Sequence, residues 1–198
     1  MSHALLEAVA AEAAGCTKCP LAHQGRTQVV FGVGNPAADL MFIGEAPGAE
    51  EDRQGEPFVG RSGQLLDRIM LEELGIDRQW CYIANCVKCR PPGNRDPLPL
   101  EIDTCRPYLD GQIELIAPKV IVTLGRFAAQ LVLATKEGVT RLRGRVHPFR
   151  GLVVVPTFHP AAVLRGGGEP MAQMRADLVR AKRELLAAGA EPWTTWAA

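Results

Sequence analysis

Six cysteines carry the most conspicuous spacing in this chain of 198 residues. Cys16-Thr-Lys-Cys19 and Cys86-Val-Lys-Cys89 are both C-x2-C pairs, and Cys105 follows Cys89 with fifteen residues between. Four thiolates from such a set can surround a structural zinc or an iron–sulfur cube. The competing role for any one of them is small apolar filler, since free cysteine is among the most buried residue types. Cys81, inside an apolar run, reads as filler; Cys16 and Cys19, flanked by polar residues, read as ligands.

A second set of residues has the makings of a base-binding site. Gly44-Glu-Ala-Pro-Gly-Ala-Glu-Glu51 holds Glu45, Glu50 and Glu51 beside glycines that let backbone N–H groups approach a ligand. Phe58, in Gly55-Glu-Pro-Phe-Val-Gly60, is either a core plug or a face on which a planar base stacks. Asn85 caps a turn, or presents donor and acceptor side by side to one edge of a nucleobase. His159 is a structural histidine or a donor to a developing oxyanion. From Gly138 to Gly168 there is no Asp or Glu, yet Arg141, Arg143, Arg145, Arg150 and Arg165 fall there. With Lys88, Arg90 and Arg95 they compose a basic face suited to phosphates, or a merely solvated one. Val163-Leu164-Arg165 ahead of three glycines has the make-up of an apolar wedge on a flexible stem.

These residues need a frame. Four near-continuous apolar runs, Asp39-Leu-Met-Phe-Ile43, Trp80-Cys-Tyr-Ile-Ala84, Val120-Ile-Val-Thr-Leu124 and Leu152-Val-Val-Val-Pro156, predict strands buried on both faces of a parallel sheet. Helices are expected from an N-cap at Ser62 to a stop at Gly75, and over roughly 100–116, 126–135 and 170–188. Pro148-Phe-Arg-Gly151 predicts a hairpin turn into the last strand. Strand–helix alternation means an α/β layer fold. Every chemically notable segment follows a strand, so all converge on the carboxyl edge of the sheet, where open α/β sheets bind ligands.

The length suits one domain, 1–198, with an N-terminal arm over about residues 1–28 that bears the first cysteine pair. A composition 47% hydrophobic and 22% charged excludes disorder and coiled coil as whole-chain descriptions. Lys+Arg and Asp+Glu both number 22, so net charge favours no partner. No apolar run is long enough to span a membrane. Glu7 and Glu12 interrupt the N-terminal apolar stretch, which argues for an amphipathic helix over a secretory leader. A cytoplasmic location is expected, where thiols stay reduced and disulfides are not.

In order and spacing, Gly44-Glu-Ala-Pro-Gly48, Gly55-x-Pro-Phe-Val-Gly60, Asn85-x-Val-Lys-Cys-Arg-Pro-Pro92 and His159-Pro-Ala-Ala-x-Leu-Arg165, together with Cys16-x2-Cys19, closely resemble the family 4 uracil-DNA glycosylases. The resemblance runs from about residue 16 to 186. It implies a three-layer αβα fold with a central four-stranded parallel sheet, and a [4Fe–4S] cluster held by Cys16, Cys19, Cys89 and Cys105. It also implies a monomer that flips uracil out of single- or double-stranded DNA, hydrolyses its glycosidic bond and leaves an abasic site. Gly44, Ala46 and Phe58 would enclose the base, Asn85 read its Watson–Crick edge and His159 face O2, with Glu45 and Glu51 on the water side. Leu164, Arg165, Arg90 and Arg95 would meet the DNA.

Strand alternation agrees with that choice of cysteines. It turns Cys86 away from the Asn85 side and into the packing layer. Cys105 is expected near the start of a helix, where the helix dipole would favour a thiolate. Two departures from related families matter. Ala46 stands where other families keep a water-positioning Asp, and Arg90-Pro-Pro-Gly-Asn-Arg95 lacks the histidine of a branch that traps DNA covalently, so turnover is expected. Glu51 has two readings, holding water or crowding the C5 edge of the base to exclude thymine. The alternative to an enzyme is a non-catalytic iron–sulfur or zinc nucleic-acid-binding module; an electron-transfer protein is disfavoured by a pocket it would not use.

Overall fold

In the computed structural model, which describes residues 2–190, the four apolar runs form the centre of one sheet. The expected domain, 1–198, extends past the described residues at both ends. The strands are β1 (Val33–Gly34), β2 (Leu40–Gly44), β3 (Cys81–Asn85), β4 (Val120–Leu124), β5 (His147–Phe149) and β6 (Leu152–Thr157), in the order β1-β3-β2-β4-β6-β5. The inner four are parallel, as expected, but short antiparallel strands β1 and β5 flank them, so the sheet has six strands rather than four. β1 has only two residues, too few for a periodic signal, and a Cβ at its Gly34 would stand 2.1 Å from the Cys81 carbonyl oxygen. The hairpin β5–β6 turns at Arg150-Gly151, both at positive φ (48° and 82°), which matches the twist of the strands it joins.

β2, β3 and β4 are buried along their whole length because helices cover both faces. One face packs Leu40, Phe42, Ile83 and Val122 against α3 (Arg61–Ile69), its π-helical extension Met70–Leu74, and α8 (Gly168–Ala187). The other packs Met41, Ile43, Ala84 and Ile121 against α4 (Pro99–Ile116) and α5 (Arg126–Leu133), which the short α6 (Val139–Leu142) follows in the chain. The layers are therefore αβα. At the N-terminus α1 (Ser2–Ala14) packs on α4, and a third small core joins Ala13 and Leu21 to Val87, Cys89, Cys105 and Tyr108. No helix among the described residues is long and apolar enough to cross a membrane.

Three local expectations are corrected. The helix expected to start behind Ser62 starts at Arg61 with Gly60 as its cap, because its first backbone bond runs from the Gln64 N–H to the Gly60 carbonyl (3.0 Å). Residues read as loop are helical in α2 (Ala49–Gln54) and, for the supposed flexible stem, in α7 (Pro160–Gly166). Proline at the first helical position behind His159 is the signal for α7. Finally, α4 begins at Pro99, so Cys105 lies in its second turn, past the reach of the terminal dipole.

Candidate active site

The strand ends converge. Parallel pairing continues past β2 and β3, with the Cys86 N–H donating to the Gly44 carbonyl (2.9 Å) and the Val87 N–H to that of Glu45 (3.1 Å). This fixes Glu45 and Asn85 side by side in the wall of one cleft of about 540 Å³. Its lining unites Glu45, Ala46, Glu51, Phe58, Asn85 and His159 with Arg95 and Arg165, nearly the whole predicted set. Gly44 is not itself in the lining but packs directly against two residues that are: a Cβ there would meet Asn85 Oδ1 at 2.4 Å and the Phe58 ring at 2.5 Å. Leu164 and Arg90 are not part of the lining; Leu164 is exposed on α7 and Arg90 donates to Asn94 Oδ1 at 2.7 Å.

Asn85 is 1% exposed, yet its Oδ1 has no hydrogen-bond partner among the described residues. A buried acceptor left open is costly unless a ligand completes it. His159 caps α7, accepting the Ala161 N–H on Nδ1 at 3.1 Å. Burial, and then the nearby Arg165 cation, push its pKa down to about 4 against the opposing Glu51 charge. The ring is therefore neutral at physiological pH and carries its proton on Nε2, which makes it a donor. Glu45 moves the opposite way. Burial first, then the Asp96 carboxylate, raise it to about 7, with Arg126 opposing.

Phe58 lies 5.6 Å from the His159 ring, centre to centre, tilted by 33°. Its φ of 56° is a left-handed conformation that costs a phenylalanine energy and needs bracing. Arg78 supplies one brace, donating to the carbonyls of Pro57 (2.9 Å) and Phe58 while pairing with Asp67. Glu51 supplies the other: Oε1 accepts the N–H groups of Val59 (3.0 Å) and Gly60 (2.9 Å). Neither expected role of Glu51 included this one, and Arg78 escaped sequence reading because nothing local links it to a loop twenty residues earlier. Asp96 and Arg126, paired at 3.1 Å, were missed as regulators of Glu45 for the same reason.

Cys16, Cys19, Cys89 and Cys105 line a second, mostly apolar cavity and are free thiols. Cys81 and Cys86 sit instead in the two cores flanking the sheet. Sulfur acceptors in this cage are met by donors: Arg26 Nη1 reaches Cys89 Sγ at 2.9 Å and the Lys88 main-chain N–H reaches Cys105 Sγ at 3.2 Å. Donors aimed at sulfur suit thiolate ligands better than filler cysteines. Among the described residues no three His, Cys, Asp or Glu side chains are grouped closely enough for a single metal ion.

The basic face is smaller than its sequence suggests. Arg143 is taken by buried Asp177 (2.9 Å), and Arg145 and Arg150 face Glu137 and Asp110. Lys88 is buried, not part of a surface. Arg95 lines the cleft but its guanidinium forks onto buried Glu101. Arg165 remains at the cleft beside exposed Leu164.

Residues 31–183 match the model of the uracil DNA glycosylase superfamily. A type-4 uracil-DNA glycosylase of Sulfurisphaera tokodaii is 46% identical over 167 residues, 80% of this chain and 76% of its own. One from Thermotoga maritima is 48% identical over 163 residues, covering 81% of this chain and 84% of its own. A type-5 uracil-DNA glycosylase of Thermus thermophilus is 32% identical over 61% of this chain and 59% of its own, so the likeness to the type-4 proteins is the stronger.

Proposed function

This chain belongs to the uracil-DNA glycosylase superfamily, and we propose that it excises uracil from DNA by hydrolysing the N-glycosidic bond, leaving an abasic site. The observation that carries this is the open Asn85 Oδ1 at the back of a cleft walled by the Phe58 ring and a neutral His159. A uracil seated there gives its N3–H to Oδ1 and takes a hydrogen bond from the Asn85 amide at O4. Phe58 offers the base its face.

Extruding the base costs a few kcal/mol, which Leu164 entering the vacated stack and Arg165 at the phosphates would offset. As the bond breaks, negative charge gathers on O2 and positive charge on the sugar. The His159 Nε2–H strengthens as a donor through that step without giving up its proton, the property that makes a hydrogen bond catalytic. Glu45, in its ionised form, orients water toward the sugar carbon and steadies its positive charge. Glu51 contributes by holding the Phe58 loop.

Four thiols lining one cavity, two of them met by protein donors, support a [4Fe–4S] cluster held by Cys16, Cys19, Cys89 and Cys105. The cluster would staple the N-terminal arm to α4 and supply no step of the hydrolysis. A non-catalytic nucleic-acid module is not favoured, because relatives covering four-fifths of the chain are named as enzymes. The test is release of free uracil from a uracil-containing oligonucleotide without added metal or nucleotide. Release supports the proposal; tight binding of that DNA with no release contradicts it.

A further inference from the structure

Lys88 is a charge that neither the cleft chemistry nor the surface accounts for. It is 1% exposed, enclosed behind Asn85. The other buried charges are answered: Glu101 pairs with Arg95, Asp177 with Arg143, and Asp52 accepts the Thr27 N–H. None of the ion pairs among the described residues includes Lys88; its Nζ stands 5.8 Å from the centre of the Phe31 ring, and the ionisable groups that act on it are the thiols of Cys105 and Cys86. A buried ammonium without a counter-charge is strongly destabilising. Its retention asks for an anion, and a loaded cage provides one, because four thiolates outweigh the positive charge of a [4Fe–4S] core.

The two ends of Lys88 touch both sites. Its main-chain N–H donates to Cys105 Sγ, while Nζ donates to the main-chain carbonyl of Asn85 at 2.7 Å and to Gln112 Oε1 at 2.5 Å. Gln112 is fixed in turn, donating to the Phe31 carbonyl (2.9 Å) and to Tyr82 Oη (3.3 Å). Resting on the cluster reading above, we infer that Lys88 is a positioning residue through which the anionic cluster holds the base-reading Asn85 in place. Cluster and pocket are thereby one electrostatic unit, joined within the four residues Asn85 to Lys88.

Two variants of the holoenzyme test this. Lys88→Met removes the charge and the donor at similar length. Iron content should match wild type, the midpoint potential of the cluster should fall because a nearby cation favours the added electron, and single-turnover uracil release should drop about tenfold or more. Gln112→Glu leaves Lys88 donating to Asn85 but hands its ammonium a carboxylate. The potential should fall in the same direction while uracil release stays near wild type. An unmoved potential in both iron-loaded variants overturns the coupling, as does unchanged release by Lys88→Met. If Lys88→Met fails to fold, the potential of Gln112→Glu decides alone. A wild-type chain without iron and sulfide would sink the cluster reading itself, a separate failure.

Discussion

The cleft and the cysteine cage adjoin the two ends of the same short segment, Asn85 and Lys88, and they treat polar groups in opposite ways. In the cage the sulfurs of Cys89 and Cys105 are met by protein donors, Arg26 and the Lys88 N–H. In the cleft the Asn85 Oδ1 is left open, His159 is held uncharged with a free donor, and Glu45 is poised near neutrality. On the cluster reading, the cage provides donors to two of its four sulfurs in advance, whereas a site for a transient base keeps its hydrogen-bonding capacity in reserve. The contrast implies that cleft substitutions change chemistry at constant iron, whereas cage substitutions change iron first.

The largest effect we expect within the cleft, short of the base-reading residue itself, is from His159→Ala. Removing a donor to developing negative charge costs about 10²–10³ in single-turnover rate, with DNA affinity nearly constant. A loss of only a few-fold would reduce His159 to a helix cap.

Glu45 sharpens the comparison through pH. Its working form is the carboxylate and its pKa is raised to about 7, so uracil release should climb as pH rises through 7 and level off above. His159, lowered to about 4, stays neutral throughout and adds no limb in that range. Glu45→Gln should flatten the profile. Arg126→Gln removes the cation that holds Glu45 down and frees Asp96 from its pair, so the limb should move to higher pH. A pH–rate profile of these variants checks both.

Glu51 separates bracing from chemistry. Glu51→Ala strips two N–H groups of their acceptor and should slow release by roughly tenfold, whereas Glu51→Gln keeps an oxygen for them and should recover most of it. Recovery by Gln supports the brace, no recovery supports a water-holding carboxylate, and new thymine excision supports exclusion.

The smallest effect belongs to Cys86→Ala. Iron content and uracil release should stay close to wild type, with a modest loss of stability from a small core cavity. Cys105→Ala should come out depleted of iron. The reverse pattern, read by iron analysis, would break the assignment of the cage.

How much of this was legible without coordinates follows the range of the signals. The inner strands were readable because β2, β3 and β4 are buried on both faces and so run as unbroken apolar stretches. Alternation at the end of β3 was enough to separate Asn85 from Cys86. The cleft residues were legible as a set because each follows a strand. Charge was not. The acids that neutralise Arg143 and Arg150 come from Asp177 and Asp110, far along the chain, so an acid-free stretch of sequence did not make an acid-free surface. Lys88 looked like part of a basic loop because a sequence does not reveal whether a lysine faces in or out. The braces on Phe58 were invisible for the same reason: its left-handed φ is imposed by Arg78 and Glu51 through folding, not by its neighbours.

The central claim, that the open amide of Asn85 reads uracil, is tested most directly by Asn85→Asp. In single-turnover reactions on oligonucleotides carrying one uracil, the iron-loaded variant should lose uracil release by about 10³ or more. The donor to O4 becomes a repelling carboxylate, and the position becomes an acceptor suited to the cytosine amino group. Cytosine release, even if slow, would be the positive sign. Wild-type-like uracil excision by Asn85→Asp would contradict the account, because the one buried polar atom it leaves for the substrate would then not be the atom that reads it.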